Sequence, residues 1–252
     1  MIYDVTHKSV AAVGSDGDDA DAWRARLGWA FGLIADDPAQ RTAALAHLHT
    51  ARRNTEEALD RFNELWSLTR PLGTDEQYRE PAFKRAWEVY VDVRRHSLPE
   101  GVRDRPSRAR IKECPGLPYA LVFLEGEVRY PQEWTEHAKT WGTKEGLIRD
   151  VAVPDHDQAV RVKPPDLVES VVQRAYRCMD HEYVRVARAV DSEDLRRRLG
   201  MAAQSDNPWA RLHAGYVLWL LDRPDVPNTR HVWRTWLAGA SGTRPSPAGP
   251  RN

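Results

Sequence analysis

The sequence predicts an α+β fold that is predominantly α-helical, with N- and C-terminal helical groups and a small, mostly antiparallel β-sheet between them. Two stretches of the chain place apolar residues at the three- and four-residue spacing of an amphipathic helix, and a short continuous apolar run lies between them. Proline and glycine are concentrated just before that run. With 252 residues, 41% hydrophobic and 29% charged, the chain can bury a sizeable core and still solvate its surface.

The N-terminal region, residues 1–97, is predicted to be an antiparallel array of helices. Its first helix is indicated by apolar residues spaced by four, four and three positions: Trp23, Leu27, Phe31 and Ile34. Asp37 and Pro38 are typical of the cap and the first turn of the long helical stretch that follows. Because Asn54 and Glu57 resemble a capping box, we expect two helices there, with a break near position 54.

The middle of the chain is predicted to hold the sheet. Residues 98–118 form a basic loop rich in Pro and Gly, and residues 119–165 form a small α/β region. The continuous apolar run 119–124 is typical of a strand that is covered on both faces. Runs 147–153 and 158–163 are also strand-like, and the four residues between them suit a hairpin turn.

Helical spacing returns in residues 166–238, the predicted C-terminal helical region, and residues 239–252 have the composition of a disordered tail. The first helix of this region is expected to run without interruption over 164–190. Ser192 and Asn207 are expected to cap the two helices that follow. The sequence leaves open whether the two helical groups form one domain, and we favour a single compact body with the sheet against it.

The charge balance limits the function classes. The 37 basic residues equal the 37 acidic residues, so the formal net charge is zero. A zero net charge excludes electrostatic binding of nucleic acid or of an acidic membrane by the chain as a whole. Only a local basic patch can provide such binding. The longest strongly apolar stretch, 214–221, is far shorter than the roughly 20 residues of a membrane-spanning helix. With no visible secretory signal and only two cysteines, a cytoplasmic protein is expected.

The chain lacks the short motifs that carry well-known chemistry. It contains no GxxxxGK[ST], no GxGxxG and no GxSxG, which excludes the recognisable phosphate-binding loops and the nucleophile elbow. Cys114, Cys178 and His181 include no close Cys or His pair of the kind that seeds a zinc site. We therefore expect no metal and no cofactor, and whether the protein catalyses a reaction stays open.

Aromatic residues are densest near the C-terminus, and they carry the first functional hypothesis. Tryptophan serves both as a core residue and as an anchor in protein interfaces. We expect a non-catalytic protein-interaction module in which four tryptophans anchor a protein partner: Trp209, Trp219, Trp233 and Trp236. The alternative for this group is that it packs two adjacent helices together. The sequence does not determine the partner or the oligomeric state.

Two further hypotheses rest on other segments. The stretch 94–112 holds seven basic residues against Glu100 and Asp104, so a nucleic-acid-associated protein would contact phosphates through Arg103, Arg105, Arg108 and Arg110. An enzyme of unrecognised type would have its site near the central sheet. A carboxylate beside an imidazole can orient it and raise its pKa for general-base catalysis, and the candidates are His156 with Asp155 or Asp157, with Glu125 nearby.

Overall fold

The computed structural model describes residues 20–102, 115–132, 141–153 and 163–242. Its α-helices are α1 (Ala20–Leu27), α2 (Pro38–Thr69), α3 (Thr74–Gln77), α4 (Pro81–Arg95), α5 (Leu117–Arg129), α6 (Trp141–Val151), α7 (Lys163–Val172), α8 (Tyr183–Ala189), α9 (Glu193–Gln204), α10 (Pro208–Leu221) and α11 (Arg230–Gly242). Short 3-10 helices cover Gly28–Ile34, Arg70–Leu72, Glu100–Val102 and Asp180–Glu182.

The predicted sheet is wrong, because the described ranges consist of helices and turns and contain no strand. Run 119–124 lies inside α5, and most of run 147–153 lies inside α6. Residues 119–128 of α5 are all buried, so this helix has no polar side to reveal its period. A short apolar run does not distinguish a strand from a buried helix. Of the third run, only Lys163 is described, and it begins α7.

The long helix α2 is continuous, so the predicted break near position 54 is wrong. Thr55, beside that position, is buried, and its hydroxyl donates a hydrogen bond to the carbonyl oxygen of Ala51 at 2.8 Å. This bond along the helix satisfies the hydroxyl without interrupting the backbone.

The prediction of one uninterrupted helix over 164–190 is wrong, and the interruption contains residues that line the candidate site. α7 ends at Val172, and the chain resumes helical geometry only at Asp180. Met179 lies in the left-handed region, with φ of 65°. The carboxylate of Asp180 accepts a hydrogen bond from the backbone N–H of Arg177 at 2.7 Å. A side chain that bonds to nearby backbone in this way competes with helix continuation.

Three predicted helix caps are confirmed. The side chains of Asp37, Ser192 and Asn207 each accept a hydrogen bond from a backbone N–H two or three residues further on, at 3.0, 3.2 and 3.0 Å. Each cap satisfies one of the free donors at the start of its helix, so the starts of α2, α9 and α10 follow from local sequence.

Buried apolar side chains form one large cluster and one small cluster among the described residues. The large cluster extends from Trp23 in α1 to Leu221 in α10. Within it, α5 contacts the first 3-10 helix, α6 and α7, and α7 also contacts α8, α9 and α10. The small cluster joins the second half of α2 to α4 through Leu65 and Phe83. The arrangement places α7, α8 and α10 side by side, and the candidate site lies there.

Candidate functional site

A cavity of about 680 Å³ opens between α7, α8, α10 and the start of α11. Its aliphatic lining consists of Val168, Val171, Val172, Val184, Leu212 and Val217. Its aromatic lining consists of Tyr176, Tyr183, Trp209, His213, Tyr216 and Trp233. Asp180, His181, Asn228, Thr229 and Arg230 complete the wall. The lining is predominantly apolar with a few polar groups, which is the usual character of a small-molecule site.

Helix α10 supplies one wall because of its residue spacing. Trp209, Leu212, His213, Tyr216 and Val217 follow one another at steps of three and one, so they form a single stripe on the helix. The Asn207 cap and Pro208 in the first turn fix where this helix starts. Trp209 therefore stands at the outer end of the stripe, where 46% of its surface is exposed.

Ring contacts join the walls formed by α10 and α11. The rings of Tyr216 and Trp233 meet edge to face, with centroids 4.6 Å apart. His213 stacks on Trp209 at 5.9 Å and also lies 6.3 Å from Trp233. Edge-to-face and offset stacked pairs are the favoured arrangements of aromatic rings. The aromatic wall is thus continuous from α10 to the first turns of α11.

Asn228 fastens the loop that precedes α11. Its side-chain N–H donates to the backbone carbonyl of His181 at 2.6 Å, and its side-chain oxygen accepts from the hydroxyl of Tyr216 at 3.0 Å. One side chain therefore connects the loop before α11 to α10 and to the 3-10 helix before α8, and these are three parts of the cavity wall.

Arg188, on α8, holds the other end of the same loop. Its guanidinium donates to three backbone carbonyl oxygens at the end of α10 and in the loop, those of Leu220, Arg223 and Val226, at 3.3, 3.2 and 2.7 Å. Because the last carbonyls of a helix lack partners within the helix, a guanidinium there satisfies groups that would otherwise need water. The loop is therefore held at both ends by hydrogen bonds within the chain.

A buried cluster of charges lies behind the cavity. The ammonium of Lys144 is 2.8 Å from the Asp180 carboxylate and 3.1 Å from that of Glu127, and all three side chains are less than 10% exposed. Arg174 also pairs with Asp180 and Glu127, at 3.0 and 3.2 Å, and Arg177 reaches Glu127 at 3.3 Å. Buried charges are tolerated when they are paired in this way. The cluster joins α5 and α6 to the chain segment between α7 and α8.

Tyr183 is the buried polar side chain of the cavity wall that lacks a partner. The residue is 3% exposed, and its hydroxyl makes no hydrogen bond with any described residue. Burial raises the pKa of Tyr183 well above its usual value, and the carboxylates of Glu127 and Asp180 raise it further. The phenol is therefore neutral at physiological pH and keeps a proton to donate.

His213 is also neutral at physiological pH. Burial lowers the pKa of His213 below its ordinary value of 6.5, and a hydrogen bond to the backbone of Val172 only partly offsets this effect. At the other side of the wall, the hydroxyl of Tyr176 lies 3.1 Å from Nδ1 of His181. These groups provide the cavity with polar contacts and no free negative charge.

The four predicted anchor tryptophans occupy two different environments. Trp209 and Trp233 line the cavity, whereas Trp219 and Trp236 do not. Trp219 stacks on Tyr216, and Trp236 lies close to Gly215, where a Cβ would stand 3.6 Å from its ring. The sequence placed all four on the C-terminal helices, but their division into wall and packing residues follows from how α10 and α11 meet.

The other predicted site residues do not contribute to this cavity. Arg103, Arg105, Arg108 and Arg110 lie outside the described residues, as do Asp155, His156, Asp157 and Cys114. Glu125 is buried and pairs with Lys163 at 3.0 Å. Cys178 is a free, half-buried cysteine, and the described ranges hold no group of three or more His, Cys, Asp or Glu residues close enough for a metal ion.

Sequence reasoning missed the wall residues Tyr176, Asp180 and Tyr183. It assigned all of them to one continuous helix, in which neighbouring side chains diverge. No glycine or proline marks the interruption between Val172 and Asp180. The available signal was the run of charged and polar side chains in this segment, and it does not by itself distinguish a helix from a turn.

Comparison of the chain with family models, curated proteins and solved structures found no match. Within the described helices, none combines the length and the hydropathy that crossing a bilayer requires.

Proposed function

We propose that this protein is a non-catalytic binding protein whose C-terminal aromatic cavity holds a small apolar molecule. The observation that carries the proposal is the cavity of about 680 Å³ with its predominantly apolar wall. Small-molecule sites typically enclose about 300–1,000 Å³ and combine an apolar lining with a few polar groups. The cavity falls inside this range, and its wall is already held by Asn228 and Arg188.

The state of the polar groups supports binding over reaction. Asp180 is neutralised by Lys144 and Arg174, and the hydroxyl of Tyr216 is engaged by Asn228. Groups held in this way keep a wall in place and orient an occupant. The Asp155–His156–Asp157 hypothesis for an enzyme, the Arg-rich loop hypothesis for nucleic acid and the cytoplasmic location remain predictions.

A protein partner anchored by the C-terminal tryptophans is the second candidate function. It is favoured by the exposure of two large side chains at the cavity, Trp209 and Tyr176, which are 46% and 56% exposed. A stable protein interface covers about 800 Å² on each partner. Among the described residues lining the cavity, these are the only large apolar side chains counted as exposed. Two side chains cover a small part of such an area, so a small molecule is the better-supported occupant.

The test measures binding of N-phenyl-1-naphthylamine, a neutral apolar fluorophore, to the purified protein. We expect a saturable rise in fluorescence with one site per chain. Leu212→Trp places a larger side chain in the cavity wall and should abolish this binding. The control, Leu218→Trp, makes the same change at a half-buried position of α10 outside the cavity and should bind as the wild type does.

A second pair of variants removes a side chain instead of enlarging one. Trp209→Ala removes an exposed part of the wall and should weaken binding about tenfold, the scale of an aromatic anchor. Trp66→Ala, at the small cluster between α2 and α4 and away from the cavity, should leave the affinity unchanged. The absence of saturable binding to the wild type, or equal binding by Leu212→Trp, overturns the proposal and favours the protein-partner candidate.

A further inference from the structure

We infer that the molecule held in the cavity is an amphipathic carboxylate, whose apolar body fills the cavity and whose carboxylate binds Arg230 at the N-terminus of α11. This inference rests on the proposed function and adds to it the chemical class of the ligand.

The first argument is the charge balance of the cavity wall. Asp180 is the carboxylate of the wall, and it is compensated by the buried Lys144 and Arg174. Arg230 also lines the cavity, at its exposed edge, and its side chain forms no hydrogen bond or ion pair with any described residue. The charge left uncompensated in the wall is therefore positive, and it complements an anion.

The second argument is the start of α11. Its first turn holds no acidic residue and begins with Arg230. A positive side chain at a helix N-terminus is electrostatically unfavourable, since that end of the helix dipole is itself positive. Thr229 caps the helix by accepting from the N–H of Val232 at 3.2 Å. A bound anion would interact favourably with both the guanidinium and the positive end of the helix dipole. A cationic residue at the start of α11 is therefore consistent with an anion-binding site.

The number of free cations favours a carboxylate over a phosphate. A guanidinium matches either group geometrically. A phosphate monoester carries a charge of about −1.5 to −2 at neutral pH. It is usually held by several hydrogen-bond donors or cations. In the described part of the wall, Arg230 is the only Lys or Arg. Since His213 is neutral, one guanidinium faces the ligand, and a single negative charge balances it.

The experiment compares naphthalene-1-acetate with naphthalene-1-acetamide, which have the same apolar body and differ in charge. The affinity of each compound is measured at low salt by its displacement of N-phenyl-1-naphthylamine from the purified 252-residue chain. We expect the acetate to bind about five- to tenfold more tightly, the range between an exposed ion pair and a charge-assisted hydrogen bond. Arg230→Gln should weaken the acetate to the level of the amide and leave the amide unchanged.

Arg234→Gln is the matched control, because Arg234 is exposed one turn further along α11 and does not line the cavity. This variant should keep the preference for the acetate. Equal binding of acetate and amide by the wild type, or an unchanged preference in Arg230→Gln, overturns the inference but leaves apolar binding intact. Failure of N-phenyl-1-naphthylamine to bind the wild type overturns the proposed function and, with it, this inference.

Discussion

The ammonium group of Lys144 lies 2.8 Å from the carboxylate of Asp180, although the two residues are 36 positions apart in the chain. Both side chains are almost completely buried. This ion pair connects α6 to the 3-10 helix that carries Asp180 and His181 into the cavity wall. The site therefore depends on an interaction between a helix outside the cavity and the segment that interrupts the predicted long helix.

Removing the buried ammonium should be destabilising. Lys144→Met removes one of the two cations that Asp180 and Glu127 share, while Arg174 remains, and we expect the free energy of unfolding to fall by about 1.5–3 kcal/mol, the scale of a hydrogen bond to a charged group. Urea denaturation followed by circular dichroism measures the change. Lys84→Met is the control, because Lys84 pairs with Glu88 on the exposed surface of α4, where an ion pair contributes at most about 1 kcal/mol. Similar losses in the two variants would contradict the role assigned to the buried cluster.

Met179 stores backbone strain at the end of the interruption. Because a left-handed conformation costs roughly 1–2 kcal/mol for a residue with a Cβ, Met179→Gly should raise the free energy of unfolding by about 0.5–1 kcal/mol, after the greater chain entropy of glycine is subtracted. Met201→Gly should have the opposite sign and lower it by about 1 kcal/mol, since Met201 is exposed within α9. If both variants are destabilised in thermal and urea unfolding, the strain assigned to Met179 is absent.

Asn228 should contribute to the affinity of the cavity for its ligand, although its neighbours in the loop are exposed. Asn228→Ala removes both the hydrogen bond to the His181 carbonyl and the acceptor of the Tyr216 hydroxyl. We expect the affinity for N-phenyl-1-naphthylamine to fall about tenfold, because a loosened wall must be ordered again on binding. Asn63→Ala, at an exposed position of α2, should not change it. An unchanged affinity in Asn228→Ala would show that the cavity keeps its shape without this side chain.

His213 should make stability depend on pH in mildly acidic solution. Burial lowers the pKa of His213 in the folded protein, so the unfolded chain binds a proton more readily. The contribution of neutral His213 to stability is fully present above the ordinary value of 6.5, and it is lost as the pH falls from there toward the folded pKa. Comparing wild type with His213→Gln by urea unfolding at several pH values isolates this part. The free energy of unfolding of the wild type minus that of His213→Gln should decrease as the pH falls. A value that does not change with pH would contradict the prediction.

The helix starts were predictable because they depend on neighbouring residues. Asp37, Ser192 and Asn207 cap their helices through bonds to backbone groups two or three positions away. The shared face of Trp209, Leu212 and Tyr216 on α10 likewise follows from spacing alone, whereas the place of Val217 in the same wall does not. The sequence therefore indicated that aromatic side chains converge on one face of this helix, although it did not show that they line a cavity.

The secondary structure of α5 was not predictable from its own residues. Its apolar run suits a buried strand or a buried helix equally well, because neither leaves a polar face. The choice is made by the surrounding first 3-10 helix, α6 and α7, which cover it on different sides. In α6, by contrast, Leu147, Ile148 and Val151 are buried on one face at helical spacing, and the prediction of a strand over 147–153 overlooked this signal.

By itself, the sequence determined most of the helices, three of their caps and the concentration of aromatic residues near the C-terminus. Only the tertiary structure decided that the sheet is absent from the described residues, that the chain leaves helical geometry after Val172, and that Trp209 and Trp233 share a cavity. The physical reason is how far apart in the chain the interacting residues lie. Caps and spacing act within a turn or two of helix, whereas the cavity depends on contacts between distant segments, such as that between Lys144 and Asp180.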